Sequence, residues 1–309
     1  MEYLLLIVGF ALLIKGADYF VEGSSDIARF LKIPSVIIGL TIVSMGTSAP
    51  EAAVSITAGL TGNNDIALGN IIGSNIFNLL VVVGVCAAIR VFKVDDTIFK
   101  RDFPICIGIT VLLMLLAFDG SIALADGIIL LALFVGYIAL TVALAMKKRK
   151  HGETEVKMKK RKPLLSVIFI IGGLAAVIFG GDLVVDNAVK IAINLGMSQS
   201  LVAMTIVAVG TSLPELVTSI TAARKGDSGL ALGNVVGSNI FNILFILGMS
   251  SALHPISVSA QALTDIYFCL GVTAAFYLAC FNKDRKVGRF LGVVCVLVYV
   301  AYTIMLIMR

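Results

Sequence analysis

The sequence predicts an all-α integral membrane protein of ten transmembrane helices, arranged as two inverted five-helix repeats with broken helices at the midplane. Three observations carry that prediction. Mean hydropathy is +1.04, and 59% of the 309 residues are hydrophobic against 14% charged, more apolar surface than a soluble core can hide. The stretch from Thr41 to Asn78 returns from Thr205 to Asn242 at a constant offset of 164 positions, without a gap and with 23 of 38 pairs identical. Finally, a basic stretch from Lys147 to Lys162 leaves five apolar runs on either side of it. Five spans per half make the second half enter the membrane in the opposite sense, so the repeat is inverted about an axis in the membrane plane.

A helix needs about 20 apolar residues to cross the hydrocarbon layer. On that measure spans are expected at 3–28, 35–60, 66–89, 103–118, 122–146, 164–193, 200–223, 229–252, 260–281 and 288–308. The units are a first repeat over 1–146, a basic linker over 147–163 and a second repeat over 164–309. Runs of this length are not the short alternating segments of a barrel. The opening stretch lacks a basic leader and a small-residue cleavage site, and is expected as a retained first span.

Charge sets the expected orientation. Lys and Arg concentrate in short cytoplasmic loops, and the linker holds nine of them. Placing it inside puts both termini outside and the loops after spans 1, 3, 5, 7 and 9 in the cytoplasm. Those loops hold 21 of the 24 basic residues; Lys15, Lys190 and Arg309 are the remainder. The net charge of +5 therefore needs no nucleic acid, and membrane lipid and inorganic cations are the expected partners, with no obligate protein partner. Five cysteines without paired spacing read as buried thiols, and the two histidines, His151 and His254, fall in loops, so neither a thiolate–imidazole metal site nor a nucleophile–base pair can be assembled. The chain is not expected to be an enzyme and no cofactor is implied.

Chemistry can lie in the repeated stretch. In GTSAPE and GTSLPE, Pro50 and Pro214 remove an N–H and disfavour helix at the residue before them, while Gly46 and Gly210 loosen the preceding turn. The helix should stop, unwind and restart with proline in its first turn, exposing backbone carbonyls beside the hydroxyls of Thr47, Ser48, Thr211 and Ser212. Next to each proline stands a carboxylate, Glu51 or Glu215, which at mid-membrane demands a partner or a function. Lys15 and Lys190 have nearer acids, Asp18 and Asp186, at helical spacing. The second half of each copy, GNIIGSNIFN or GNVVGSNIFN, sets Asn70, Ser74 and Asn78 on one helix face, and Asn234, Ser238 and Asn242 on another. Gly69 and Gly73, with Gly233 and Gly237, are small-xxx-small pairs for close helix approach. Two carboxylates with hydroxyl, amide and carbonyl oxygens form a donor set for hard cations, Ca²⁺ above all, or Na⁺ with the oxygens regrouped.

At these residues the sequence resembles the cation/calcium exchanger superfamily, specifically prokaryotic sodium/calcium antiporters, whose two alpha-repeats carry G-T-S-x-P-E and G-N-x-x-G-S-N. The resemblance implies a cation site lined by Glu51, Thr47, Ser48, Ser74 and Asn78, and by Glu215, Thr211, Ser212, Ser238 and Asn242, completed by main-chain oxygens of Ser44 and Ala208. It also implies that spans 1 and 6, which carry Asp18, Glu22, Asp182 and Asp186, slide as a gating pair against the other eight. Some members have aspartate where this chain has Asn242.

The expected function is a cell-membrane antiporter that exports Ca²⁺ in exchange for Na⁺ by alternating access. Its rivals are Ca²⁺/H⁺ exchange, K⁺-dependent Na⁺/Ca²⁺ exchange and a passive cation channel.

Overall fold

The computed structural model describes residues 1–61, 64–150, 163–197 and 208–308. Its membrane helices are α1 (Glu2–Leu31), the bent pair α2 (Ser35–Thr47) and α3 (Ala49–Leu60), α4 (Ile66–Ile89), α5 (Ile98–Asp119), α6 (Leu124–Arg149) and α7 (Pro163–Asn194). After α8 (Leu213–Lys225) come α9 (Ser228–Leu253), α10 (Ala260–Ala279) and α11 (Arg289–Met308). Among the described residues eight helices are long and apolar enough to span a membrane, nine if α2 and α3 count as one. Most of the linker, 151–162, and the start of the seventh expected span, 200–207, lie outside the described residues. The fourth span begins earlier than hydropathy suggests: Ile98–Asp102 is a π-helical turn bearing Lys100 and Arg101, and its charges mask its helical continuity with Phe103.

Burial separates the helices into a core and a shell. The most apolar window of α9 is 94% buried and that of α4 is 78%, whereas that of α11 is 17%. The central helices are thus the second halves of the two repeated stretches. Outward faces carry large apolar side chains such as Val135, Leu164, Phe179 and Leu297, the opposite of a soluble surface and the arrangement lipid favours.

The expected pairing of spans 1 and 6 is realised as a glycine seam. Gly9, Gly16 and Gly23 recur every seven residues on α1, and Ser166, Gly173 and Gly180 do so on α7. The contacts run Gly9 to Gly180, Gly16 to Gly173 and Gly23 to Ser166, so the helices are antiparallel. A Cβ on Gly173 would stand 2.5 Å from the Phe20 nitrogen, and one on Gly16 would stand 2.9 Å from the Gly173 carbonyl oxygen. Only hydrogen fits, and close backbone approach replaces the hydrophobic force that lipid cannot supply. The pair also has its own small core of Leu13, Ala17, Val177 and Val184, against which Leu213 and Val217 of α8 pack.

The loops sort by face. Residues of β1 (Phe92–Lys93), between α4 and α5, pair antiparallel with β4 (Lys286–Val287), between α10 and α11. Arg90 Nη1 donates to the Arg224 carbonyl at 3.4 Å, and Lys148 Nζ donates to Thr97 Oγ1 at 2.7 Å. Asp227, at the start of α9, accepts from Ser25 at 3.0 Å, Ser35 at 2.6 Å and the Leu230 amide at 3.0 Å. These contacts gather the connections expected after spans 1, 3, 5, 7 and 9 on one face. On the other, β2 (Ser121–Ile122), between α5 and α6, pairs with β3 (Ile256–Ser257), between α9 and α10.

Gly173→Leu is expected to separate α1 from α7 and destabilise the protein by about 1–3 kcal/mol or more, the range for overpacking. Thermal unfolding in detergent checks this against Gly172→Ala, one residue away and with nothing near its added Cβ among the described residues, which should unfold like the wild type.

Candidate cation-binding site

Both repeats break where the prolines dictate. The bend between α2 and α3 is 51°, and Ser48 at the break leaves helical geometry at φ −82°, ψ 10°. Ser212 does the same at φ −91°, ψ 6° before α8. Each serine stands at the N-cap of the restarted helix, yet neither uses its hydroxyl as a cap. The hydroxyls are turned to the other repeat. Ser48 Oγ donates to Glu215 Oε1 at 2.7 Å, and Ser212 Oγ donates to Glu51 Oε1 at 3.0 Å. Across the breaks the Ser48 amide donates to the Ser44 carbonyl at 3.0 Å and the Ser212 amide donates to the Val209 carbonyl at 3.2 Å.

Several of the sequence-predicted residues gather around the two carboxylates. Ser74 Oγ lies 3.0 Å from the Ser212 hydroxyl, and Ser238 Oγ lies 3.4 Å from both Glu215 Oε1 and the Ser44 carbonyl oxygen. Thr47 Oγ1 stands 3.0 Å from Asn234 Oδ1, and Thr211 Oγ1 stands 3.3 Å from Asn70 Oδ1. Asn70 and Asn234 in turn donate to Ser55 at 2.9 Å and Ser219 at 3.0 Å, so they brace the threonines rather than face the carboxylates. Ala208 opens the turn Ala208–Gly210 that leads to Ser212.

Glu51, Glu215, Asn78 and Asn242 are each 0% exposed. Among the described residues their remaining oxygens, Glu51 Oε2, Glu215 Oε2, Asn78 Oδ1 and Asn242 Oδ1, have no hydrogen-bond donor, and neither glutamate enters an ion pair. Four buried acceptors without a donor are strongly unfavourable in a low dielectric. Two carboxylates brought together there repel each other unless a cation or protons intervene. Among the described residues no three His, Cys, Asp or Glu side chains cluster, so a metal ion here would be held by the two carboxylates with hydroxyl, amide and carbonyl oxygens. That set suits a hard cation.

The acids expected on the gating pair stay outside this cluster. Asp18 is not paired with Lys15, its neighbour on the helix; its Oδ1 lies 3.2 Å from Lys225 Nζ, because α1 runs beside the end of α8. Glu22 is half-buried and Asp182 and Asp186 are exposed on α7. What α7 does bring to the site is apolar. Leu174 lies against Gly46, and Val185 against Gly210, so the helix covers both breaks. Asn75 and Asn239 are the residues that sequence reasoning missed. They are buried at the centre and joined across the repeats, and the signal was there: each falls in GSNIFN, three residues before the asparagine that was singled out. All five cysteines are buried and free.

Comparison with known proteins places this geometry. The model of the family described as "Sodium/calcium exchanger protein" matches residues 1–143 and 165–308. The chain is 37% identical to the inner membrane protein YrbG of Escherichia coli over 94% of its own length and 91% of that protein. It is 32% identical to the sodium/calcium exchanger MaX1 of Methanosarcina acetivorans over 99% of its own length and 98% of the relative. A solved structure of the sodium-calcium exchanger NCX_Mj, soaked with zero Na⁺ and Ca²⁺, superposes with a TM-score of 0.86 at 32% identity, covering 99% of this chain and 98% of the other. The broken helices, the crossed serine–glutamate bonds and the match along both halves agree: this chain belongs to the sodium/calcium exchanger protein family, whose members are ion antiporters.

Proposed function

We propose that this antiporter exchanges Na⁺ for Ca²⁺, exporting Ca²⁺ as Na⁺ enters, and that Glu51 and Glu215 with Thr47, Ser48, Ser74, Asn78, Thr211, Ser212, Ser238 and Asn242 hold the ions. The observation that carries the proposal is the set of four buried oxygens without a donor among the described residues, two of them carboxylate. Two negative charges balance one Ca²⁺, and hydroxyl and amide oxygens raise the ligand number toward the six to eight that Ca²⁺ takes. Na⁺ competes for the same oxygens. Main-chain oxygens of Ser44 and Ala208 complete the cage.

The mechanism is competition coupled to movement of the α1/α7 pair. With the cage empty, like charges face each other in a low dielectric; a bound cation removes that repulsion and lets Leu174 and Val185 move across the breaks. The face carrying the odd-numbered connections is cytoplasmic, as its excess of Lys and Arg requires, and both termini are extracellular. The two halves are inverted repeats. Three features support this: α1 and α7 run antiparallel, the loop contacts sort by face, and the hydrogen bonds between repeats are reciprocal.

Three outcomes test the reading. Vesicles loaded with Na⁺ should take up Ca²⁺ when diluted into Na⁺-free buffer; uptake indifferent to Na⁺, or driven instead by a pH gradient without Na⁺, would overturn it. Glu51→Gln should leave folding intact and lower Ca²⁺ affinity at least ~100-fold, since removing one partner of a buried charge pair is worth about 3 kcal/mol or more. Ser48→Ala and Ser212→Ala should each remove the donor that orients one carboxylate, and should raise the half-saturating Ca²⁺ by similar factors of about 10, the scale of a hydrogen bond to a charged group.

A further inference from the structure

The crossed asparagines at the centre do more than join the repeats. Asn75 Nδ2 donates to the Asn239 main-chain oxygen at 3.2 Å, and Asn239 Nδ2 donates to the Asn75 main-chain oxygen at 3.1 Å. A backbone carbonyl can only accept, so these two bonds fix which end of each amide is nitrogen and which is oxygen. The oxygens are then committed as well. Asn239 Oδ1 accepts from Asn78 Nδ2 at 3.2 Å, and Asn75 Oδ1 accepts from Asn242 Nδ2 at 3.0 Å. With their nitrogens taken, Asn78 and Asn242 retain Oδ1 as the free end, and both oxygens are buried without a donor among the described residues.

An amide is nearly symmetric in shape, and its two ends have opposite meaning for a cation. Turned one way, Asn78 offers an acceptor; turned the other, it offers an N–H dipole that repels the ion. Nothing in the side chain chooses between them, so the choice must come from its neighbours. Asn78 and Asn242 also stand at the first positions of the π-helical turns Asn78–Val82 and Asn242–Leu247, where a helix of changed pitch re-aims the side chain.

We propose that Asn75 and Asn239 are positioning residues, each locking an amide of the opposite repeat so that the cage presents oxygen and not nitrogen to the transported cation. They act through Asn242 and Asn78 and do not themselves touch the ion. The lock crosses the repeats, so neither half alone can present a finished set of ligands. The inference rests on the reading of the cage as the transport site.

A double-mutant cycle on the full chain in vesicles tests it, with the half-saturating Ca²⁺ for Na⁺-driven uptake as readout. Asn239→Ala releases Asn78 and should raise half-saturation by about 10- to 100-fold, the usual effect of removing a partner that orients a metal ligand. In an Asn78→Asp background both terminal atoms are oxygen, so there is no amide left to orient. Asn239→Ala should then change half-saturation less than about twofold, or improve it by removing the opposed Asn239 oxygen. Equal losses in the two backgrounds would overturn the lock and assign Asn239 to packing. The mirrored cycle, Asn75→Ala with Asn242→Asp, gives a second copy, decisive if a variant of the first fails to fold. Wild-type vesicles that take up no Ca²⁺ would overturn the exchange reading alone; the cycle is then read as stabilisation against heat by added Na⁺ or Ca²⁺ in detergent.

Discussion

Two carboxylates buried at the centre of a membrane protein, with no ion pair to a cationic side chain among the described residues, are the constraint on which the rest of this structure depends. Glu51 and Glu215 are fully buried, and each is reached by a serine from the opposite repeat. In hydrocarbon such groups are tolerated only where protein surrounds them, and the molecule is built accordingly. Its two most buried long helices, α4 and α9, wrap the site.

Reciprocity is the second organising feature. Ser48 to Glu215 and Ser212 to Glu51, Asn75 to Asn239 and Asn239 to Asn75, Asn78 to Asn239 and Asn242 to Asn75 are the same contacts read from either half. Each of these contacts has its equivalent in the other repeated stretch, as the contacts of an isologous interface do, so the cluster is assembled from residues of both.

The glycine seam holds α1 and α7 in close backbone contact. Backbones in contact along three points seven residues apart have no side chains between them to shear, and the pair keeps a small core distinct from the main one. It is not wholly detached. Ser25 reaches Asp227, and Lys225 reaches Asp18, both at the face with the basic loops. Polar ties hold the pair at that end, and Leu174 and Val185 make apolar contact over the breaks at the middle.

Much of this was legible in the sequence because hydropathy, proline and repetition are local properties. Span length follows from apolar runs, the break follows from Pro50 and Pro214 whatever their surroundings, and a gapless offset of 164 identifies the equivalent oxygens before any contact is known. The heptad glycines of α1 and α7 are equally visible, but their partners are not, because each seam pairs residues some 140 to 170 positions apart in the chain. The choice of Lys225 over Lys15 for Asp18 was likewise decided by which helix end lay alongside, where spacing on one helix pointed the other way. So was the role of Asn75 and Asn239, whose spacing marks them as repeated but whose amide orientation depends on a carbonyl in the other half. The sequence by itself marked the apolar runs, the breaks at Pro50 and Pro214 and the oxygens available there. Only the tertiary structure decided which of those oxygens are left without a donor among the described residues, because that is set by pairing between halves and cannot be read along either one.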